Sequence, residues 1–273
     1  MNKNTRTYQV ILSICIFLTC SVNAFAECEK TLSIAWMGVW EPFNLGSPSN
    51  PQGLDLEILN AIMTEAGCEL VYSATYFPWA RHMRMIESGE TDLITAAGKN
   101  PEREKFSYLI GPYRSEHVGL YVLKKDIKKH LIQKPKDLVT QKFTLGTSIG
   151  YNYGSELNGI IKQLGKNNQA ISEREELPNR ANYLKLKAER IDGYLGYPVV
   201  ETLDLKTMGF DDDIGLHPMP LVKTGDIYIL LSKKSNTQEM ANTLQNSLER
   251  IKSNGVYDAI LKKYSERYNI PKW

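Results

Sequence analysis

Arg103 closes the run Asn100-Pro101-Glu102-Arg103, in which a proline-led turn presents a guanidinium. That group is a planar fork of N–H donors and matches the two oxygens of a carboxylate, giving orientation as well as energy, which lysine does not do equally well. Residue type alone leaves two readings open: a carboxylate clamp, or a solvated arginine paired with Glu102 or Glu104. Trp40, Phe43 and Trp79 offer ring faces that exclude water and stack on aliphatic or cationic groups. The alternative is plain core packing, which is the expectation for Phe43. Arg81, just beyond Trp79, suits either a cleft or solvent. The stretch Gly146-Thr147-Ser148-Ile149-Gly150-Tyr151-Asn152-Tyr153-Gly154 joins a strand pattern to a helix pattern. Its glycines let backbone approach a ligand, and free N–H groups at a helix start favour anions.

Other chemistries lack their residues. His82, His117, His130 and His217 are scattered, without metal-ligand spacing or paired cysteines beside them, and read as surface or packing residues. There is no phosphate loop. Asp211-Asp212-Asp213 reads as a solvated turn, too short a series for calcium. We expect no metal, no cofactor and no catalysis.

The N-terminus reads as a leader. Lys3 and Arg6 precede the apolar run Val10 to Val22, and Ala24-Phe25-Ala26 supplies a small-x-small cleavage pattern. The run is shorter than the roughly 20 residues a spanning helix needs. Residues 1–26 are therefore expected to be a signal peptide, removed on export to the periplasm. Lys3 and Arg6 leave with it, so the formal charge of +2 falls to zero, which removes any general pull toward nucleic acid or anionic membrane. Cys15 and Cys20 leave as well. Cys28 and Cys68 remain, an even pair in an exported chain. Each precedes a strand-like run, and parallel pairing of those strands would put both sulfurs at one sheet edge, so a disulfide is expected.

Strand patterns at 31–37, 69–75 and 92–97 alternate with helical patterns. In one, Leu56, Leu59, Ile62 and Met63 share a face that ends at Gly67. In the next, Trp79, Met83 and Ile86 share a face that ends at Gly89. A second cycle has an apolar run at 118–124, a short helix from Lys136, a strand at 143–146, helices at 155–164 and 179–190, and a strand at 191–197. A strand at 227–232 and a long helical region, 237–268 broken at Gly255, complete it. Such alternation implies right-handed βαβ units and a largely parallel sheet. The fold class is α/β with two lobes: 27–118 and 227–273 in the first, 119–226 in the second. The extended runs at 118–124 and 226–232 are the crossings, and paired crossings make a hinge.

Several stretches in order resemble the family 3 extracellular solute-binding proteins, the polar amino acid receptors of ABC importers. They are Trp40-Glu41-Pro42-Phe43, Gly53-Leu54-Asp55-Leu56-Glu57-Ile58, Pro78-Trp79, Gly89-Glu90-Thr91-Asp92-Leu93, Asn100-Pro101-Glu102-Arg103 with Phe106-Ser107, Gly111-Pro112-Tyr113, and Gly255-Val256-Tyr257-Asp258-Ala259-Ile260. The resemblance covers the mature chain. It implies a type II periplasmic binding protein fold, a monomer closing on a small carboxylate-bearing ligand, with an ABC permease or a sensory receptor as partner. It assigns Arg103 to the ligand carboxylate, Trp40 and Trp79 to the wall, and Gly150, Tyr151 and the residue after the 191–197 strand to the second lobe. At that last place amino acid receptors commonly carry an aspartate for the ligand's ammonium; here Tyr197 stands, without negative charge. Gly98 stands where a hydroxyl is usual. Some proteins of this fold are dehydratases of cyclic dienyl acids, for which Glu41 would be the general acid.

Overall fold

The computed structural model describes residue 28 and residues 30–149, 151–166, 170–173 and 178–268. The expected leader and Gly150 lie outside the described residues.

The first cycle builds β1 (Leu32–Trp36), a hairpin of β2 (Leu45–Ser47) and β3 (Asn50–Gln52), α1 (Leu54–Ala66), β4 (Leu70–Tyr76), α2 (Trp79–Ser88), β5 (Leu93–Gly98) and α3 (Pro101–Phe106). The long β6 (Ser107–Leu123) leads into the second, with α4 (Asp137–Thr140), β7 (Leu145–Ser148), α5 (Gly154–Lys166), β8 (Ala170–Glu173), α6 (Pro178–Lys187), β9 (Gly193–Gly196), α7 (Pro198–Met208) and β10 (Ile214–Leu216). The chain returns through β11 (Val222–Ser232) and finishes in α8 (Gln238–Ser253) and α9 (Val256–Tyr268).

Local chemistry sets these bounds. Helices α1 and α2 both stop at a glycine in the left-handed region, Gly67 at φ 70° and Gly89 at φ 78°, where a side chain would be strained. Helix α3 starts on Asn100, whose side chain accepts the Arg103 N–H, and carries proline in its first turn. Helix α7 likewise begins with Pro198 directly after Tyr197. The hydrophobic period did not announce it, because Val199, Val200 and Leu205 are split between facing the first-half core and the second. The strand expected at 143–146 lies two residues later, since Phe143 is spent on the core ahead of the ladder. In α2 the buried stripe is His82, Met85 and Ile86, while Trp79 and Met83 are only half-buried.

Nine of the described strands form one sheet ordered β4-β1-β5-β11-β6-β9-β7-β8, with β10 added to β6, and β2 pairs only with β3. Pairing is parallel toward both ends (β1 with β4 and β5, β7 with β8 and β9) and antiparallel in the middle, where β11 meets β5 and β6, and β6 meets β9. β6 and β11 are longer than the apolar runs that suggested them. They pair from Ser107↔Ser232 to Val118↔Val222, and β6 then continues alone into the other half of the sheet. The cores divide accordingly. One packs β1, α1, α8 and α9 around Leu32, Leu59 and Leu244; two others lie beyond, around Leu120 and Leu157, and around Tyr183 and Tyr194. Leu32 pairs with Leu70, which brings the preceding cysteines together: Cys28 and Cys68 form the expected disulfide, Cα atoms 4.7 Å apart.

Candidate functional site

Between the halves lies a cavity of about 270 Å³. Strand β5 supplies its floor. Ala96 takes φ 60°, its N–H is held by the Tyr113 hydroxyl at 2.9 Å, and the β11 register slips beside it. The kink leaves both Ala96 and Gly98 on the cavity wall.

Arg103 reaches this wall from α3 and is only 5% exposed. Its Nη1 donates to the Gly98 carbonyl at 2.5 Å, and its Cζ lies 5.4 Å from the centre of the Trp79 ring. Burial draws the guanidinium down from its ordinary value, and Tyr197 and then Glu116 push it back. The solvated reading therefore fails: Glu102 pairs with Lys105 and Glu104 with Lys99.

The aromatic wall closes from both sides. Trp79 meets Tyr151 edge-on at 6.5 Å and Trp40 meets Tyr197 edge-on at 5.9 Å, all four lining the cavity. The Asn152 amide donates to the Lys99 carbonyl across the same gap at 3.3 Å. Phe43 is core, as expected, and Arg81 points away, over the Phe77 ring and toward Glu90. The structure thus gathers Trp40, Trp79, Gly98, Arg103, Tyr151 and Tyr197 about one cavity. Glu41 is not among its lining residues; it accepts a hydrogen bond from the Tyr268 hydroxyl at 2.6 Å.

The residues that sequence reasoning missed are acidic. Glu116 on β6 lines the cavity and is 7% exposed. Arg114, two residues earlier and fully buried, donates Nη1 to Glu116 Oε1 at 2.5 Å, and Nε and Nη2 to Asp55 at 2.7 and 2.9 Å. Burial pushes the Glu116 carboxyl up, and Arg114 opposes that. Opposite charges at i and i+2 in Arg114-Ser115-Glu116, leading into an apolar run, were the available signal, because such spacing puts both on one strand face. Asp204 on α7 lies at the rim, its carboxyl raised to about 6 by burial and then by Glu41. His82, expected to be a surface or packing residue, is buried within the wall. Burial lowers it to about 4, against a contact from its Nε2 to the Phe77 carbonyl at 2.6 Å. Among the described residues no three His, Cys, Asp or Glu side chains gather as a metal site.

Known proteins are similar over nearly the whole chain. A probable histidine-binding protein of Campylobacter jejuni is 22% identical over 248 residues, covering 88% of this chain and 86% of that protein. An ancestral arginine-binding protein bound to arginine superposes with TM-score 0.68 at 19% identity, over 86% of this chain and 97% of the other. An amino acid ABC transporter substrate-binding protein of Streptococcus pneumoniae bound to L-arginine gives TM-score 0.67 at 22% identity, over 89% and 97%. At such identities the structures establish a shared fold, that of the two-lobed type II periplasmic binding proteins. The family model of the bacterial extracellular solute-binding proteins, family 3, matches residues 32–267, and this chain belongs to that family.

Proposed function

We propose that the chain is a periplasmic receptor that captures an amino acid, or a close derivative bearing a carboxylate, and hands it to an ABC permease of the inner membrane. Lobe one is residues 27–118 with 227–273, lobe two is residues 119–226, and ligand held by both favours their closed arrangement. The observation that carries this reading is Arg103: a guanidinium buried at a cavity wall, over the Trp79 ring, with the Gly98 carbonyl accepting from one of its donors. A guanidinium at such a wall matches the two oxygens of a ligand carboxylate. The cavity volume suits one small molecule, and its wall, mostly apolar with several aromatic rings and a few charges, has the make-up of a small-ligand pocket.

The relatives above that hold arginine support the amino acid class. Glu41 accepts a hydrogen bond from Tyr268 and is not among the cavity's lining residues, which favours capture over dehydration. A cyclic dienyl acid incubated with the protein should yield no aromatic product. The reading is tested by a thermal-shift screen of the L-amino acids, because a ligand bound only by the folded state raises the melting temperature. A concentration-dependent rise with at least one amino acid is expected; no rise with any would overturn it.

A further inference from the structure

We infer that Glu116 is the counter-ion for a cationic nitrogen of the ligand, so that the cavity takes zwitterionic amino acids in preference to simple carboxylic acids. This rests on the reading of the cavity as a carboxylate-binding site.

The inference comes from a charge count. Asp55, Arg114 and Glu116 form one buried group of two carboxylates and one guanidinium, with an excess of one negative charge. Arg114 spends its bidentate side, Nε and Nη2, on Asp55, and reaches Glu116 through Nη1 to a single oxygen, Oε1. A tie between α1 and β6 needs only Asp55 and Arg114. The second carboxylate adds a desolvation cost that the fold does not require. That second carboxylate is the member of the group that lines the cavity.

Arg103 lines the same cavity with a fixed positive charge, and Glu116 is among the groups that act on it electrostatically. One buried cation and one buried anion on a shared aromatic-walled cavity complement a molecule carrying both charges. Tyr197, at the start of α7, brings no charge of its own and lowers the Glu116 carboxyl through its hydroxyl. A ligand cation would lower it further, so burial has left Glu116 prepared for that partner.

The test uses the full mature protein and Glu116→Gln, titrated calorimetrically with L-arginine, L-glutamine, 5-guanidinopentanoate and pentanoate. Glutamine at 116 keeps an oxygen for Arg114, and circular dichroism checks the fold. Wild type is expected to bind at least one of the two amino acids at least about tenfold tighter than pentanoate, and Glu116→Gln to lose about tenfold or more of that affinity while its weak binding of pentanoate is unchanged. If the loss falls on the amino acids but spares 5-guanidinopentanoate, the nitrogen is the α-ammonium. If it extends to 5-guanidinopentanoate, the nitrogen is that of the side chain. Unchanged amino acid affinity in the variant overturns the inference and leaves the carboxylate reading standing, as does an equal loss for pentanoate. Wild type that binds none of the four overturns both. Should the variant misfold, wild type that binds pentanoate as tightly as the amino acids still overturns the inference.

Discussion

Arg103 and Arg114 are both buried, yet their partners give them different work. Arg114 is saturated inside the protein by Asp55 and Glu116 and packs with its Cζ 4.1 Å from the Phe43 ring centre. Removing it strands two carboxylates in the core. Arg114→Met should therefore destabilise the fold by about 3–5 kcal/mol in urea unfolding. Arg103 sits at the cavity wall instead, so Arg103→Ala should weaken a carboxylate ligand by on the order of 2–5 kcal/mol while the unfolding midpoint of the ligand-free protein stays nearly unchanged; calorimetry and urea titration read the two effects. Arg103 was legible because a Pro-Glu-Arg turn in a known order of motifs pointed at it. Glu116 was not, because which face of a strand meets a cavity is decided by the sheet beyond it, not by the strand's own residues.

At the scale of the element, α2 holds the wall and carries its own acid sensitivity. His82, on the buried face of this helix, is lowered from 6.5 to about 4, chiefly by burial. The unfolded chain therefore binds a proton before the folded one. Stability is fully present above pH 6.5 and falls by about 3 kcal/mol as pH drops toward 4. Asp204 acts in the opposite sense, because its raised carboxyl stabilises the fold as pH falls from 6 toward 4. Comparing His82→Gln with wild type across pH 4–7 by urea unfolding isolates the histidine: the variant should lose less stability on acidification, and an identical slope would contradict the assignment. The strand and helix bounds of the first cycle were legible to within a residue or two, since glycines and a proline punctuate them. The face of α2 was not, because Trp79 follows the helical period but turns to the cavity, and buried His82 takes a place that polarity alone would have put outside. Helix α7 went unseen for a related reason: its apolar residues serve two cores.

Over the whole molecule, β6 and β11 run side by side to where the halves of the sheet meet, and the cavity lies there. Contacts from Trp79 to Tyr151, Trp40 to Tyr197 and Asn152 to Lys99 bridge it. A ligand that touches both sides favours the closed arrangement only by the contacts it gains there. Small-angle scattering should show a smaller radius of gyration when a binding amino acid is added, and no change for Arg103→Ala at the same concentration. Two lobes and their paired crossings were readable from the alternation of periods. The length of the crossings was not, because β6 begins in half-polar residues that became strand only by pairing with β11. The most direct measurement is a crystal structure with a bound amino acid identified by thermal shift. The account predicts the ligand carboxylate on the Arg103 guanidinium, between Gly98 and Trp79. A carboxylate seated elsewhere, with Arg103 bonded to protein alone, would contradict it.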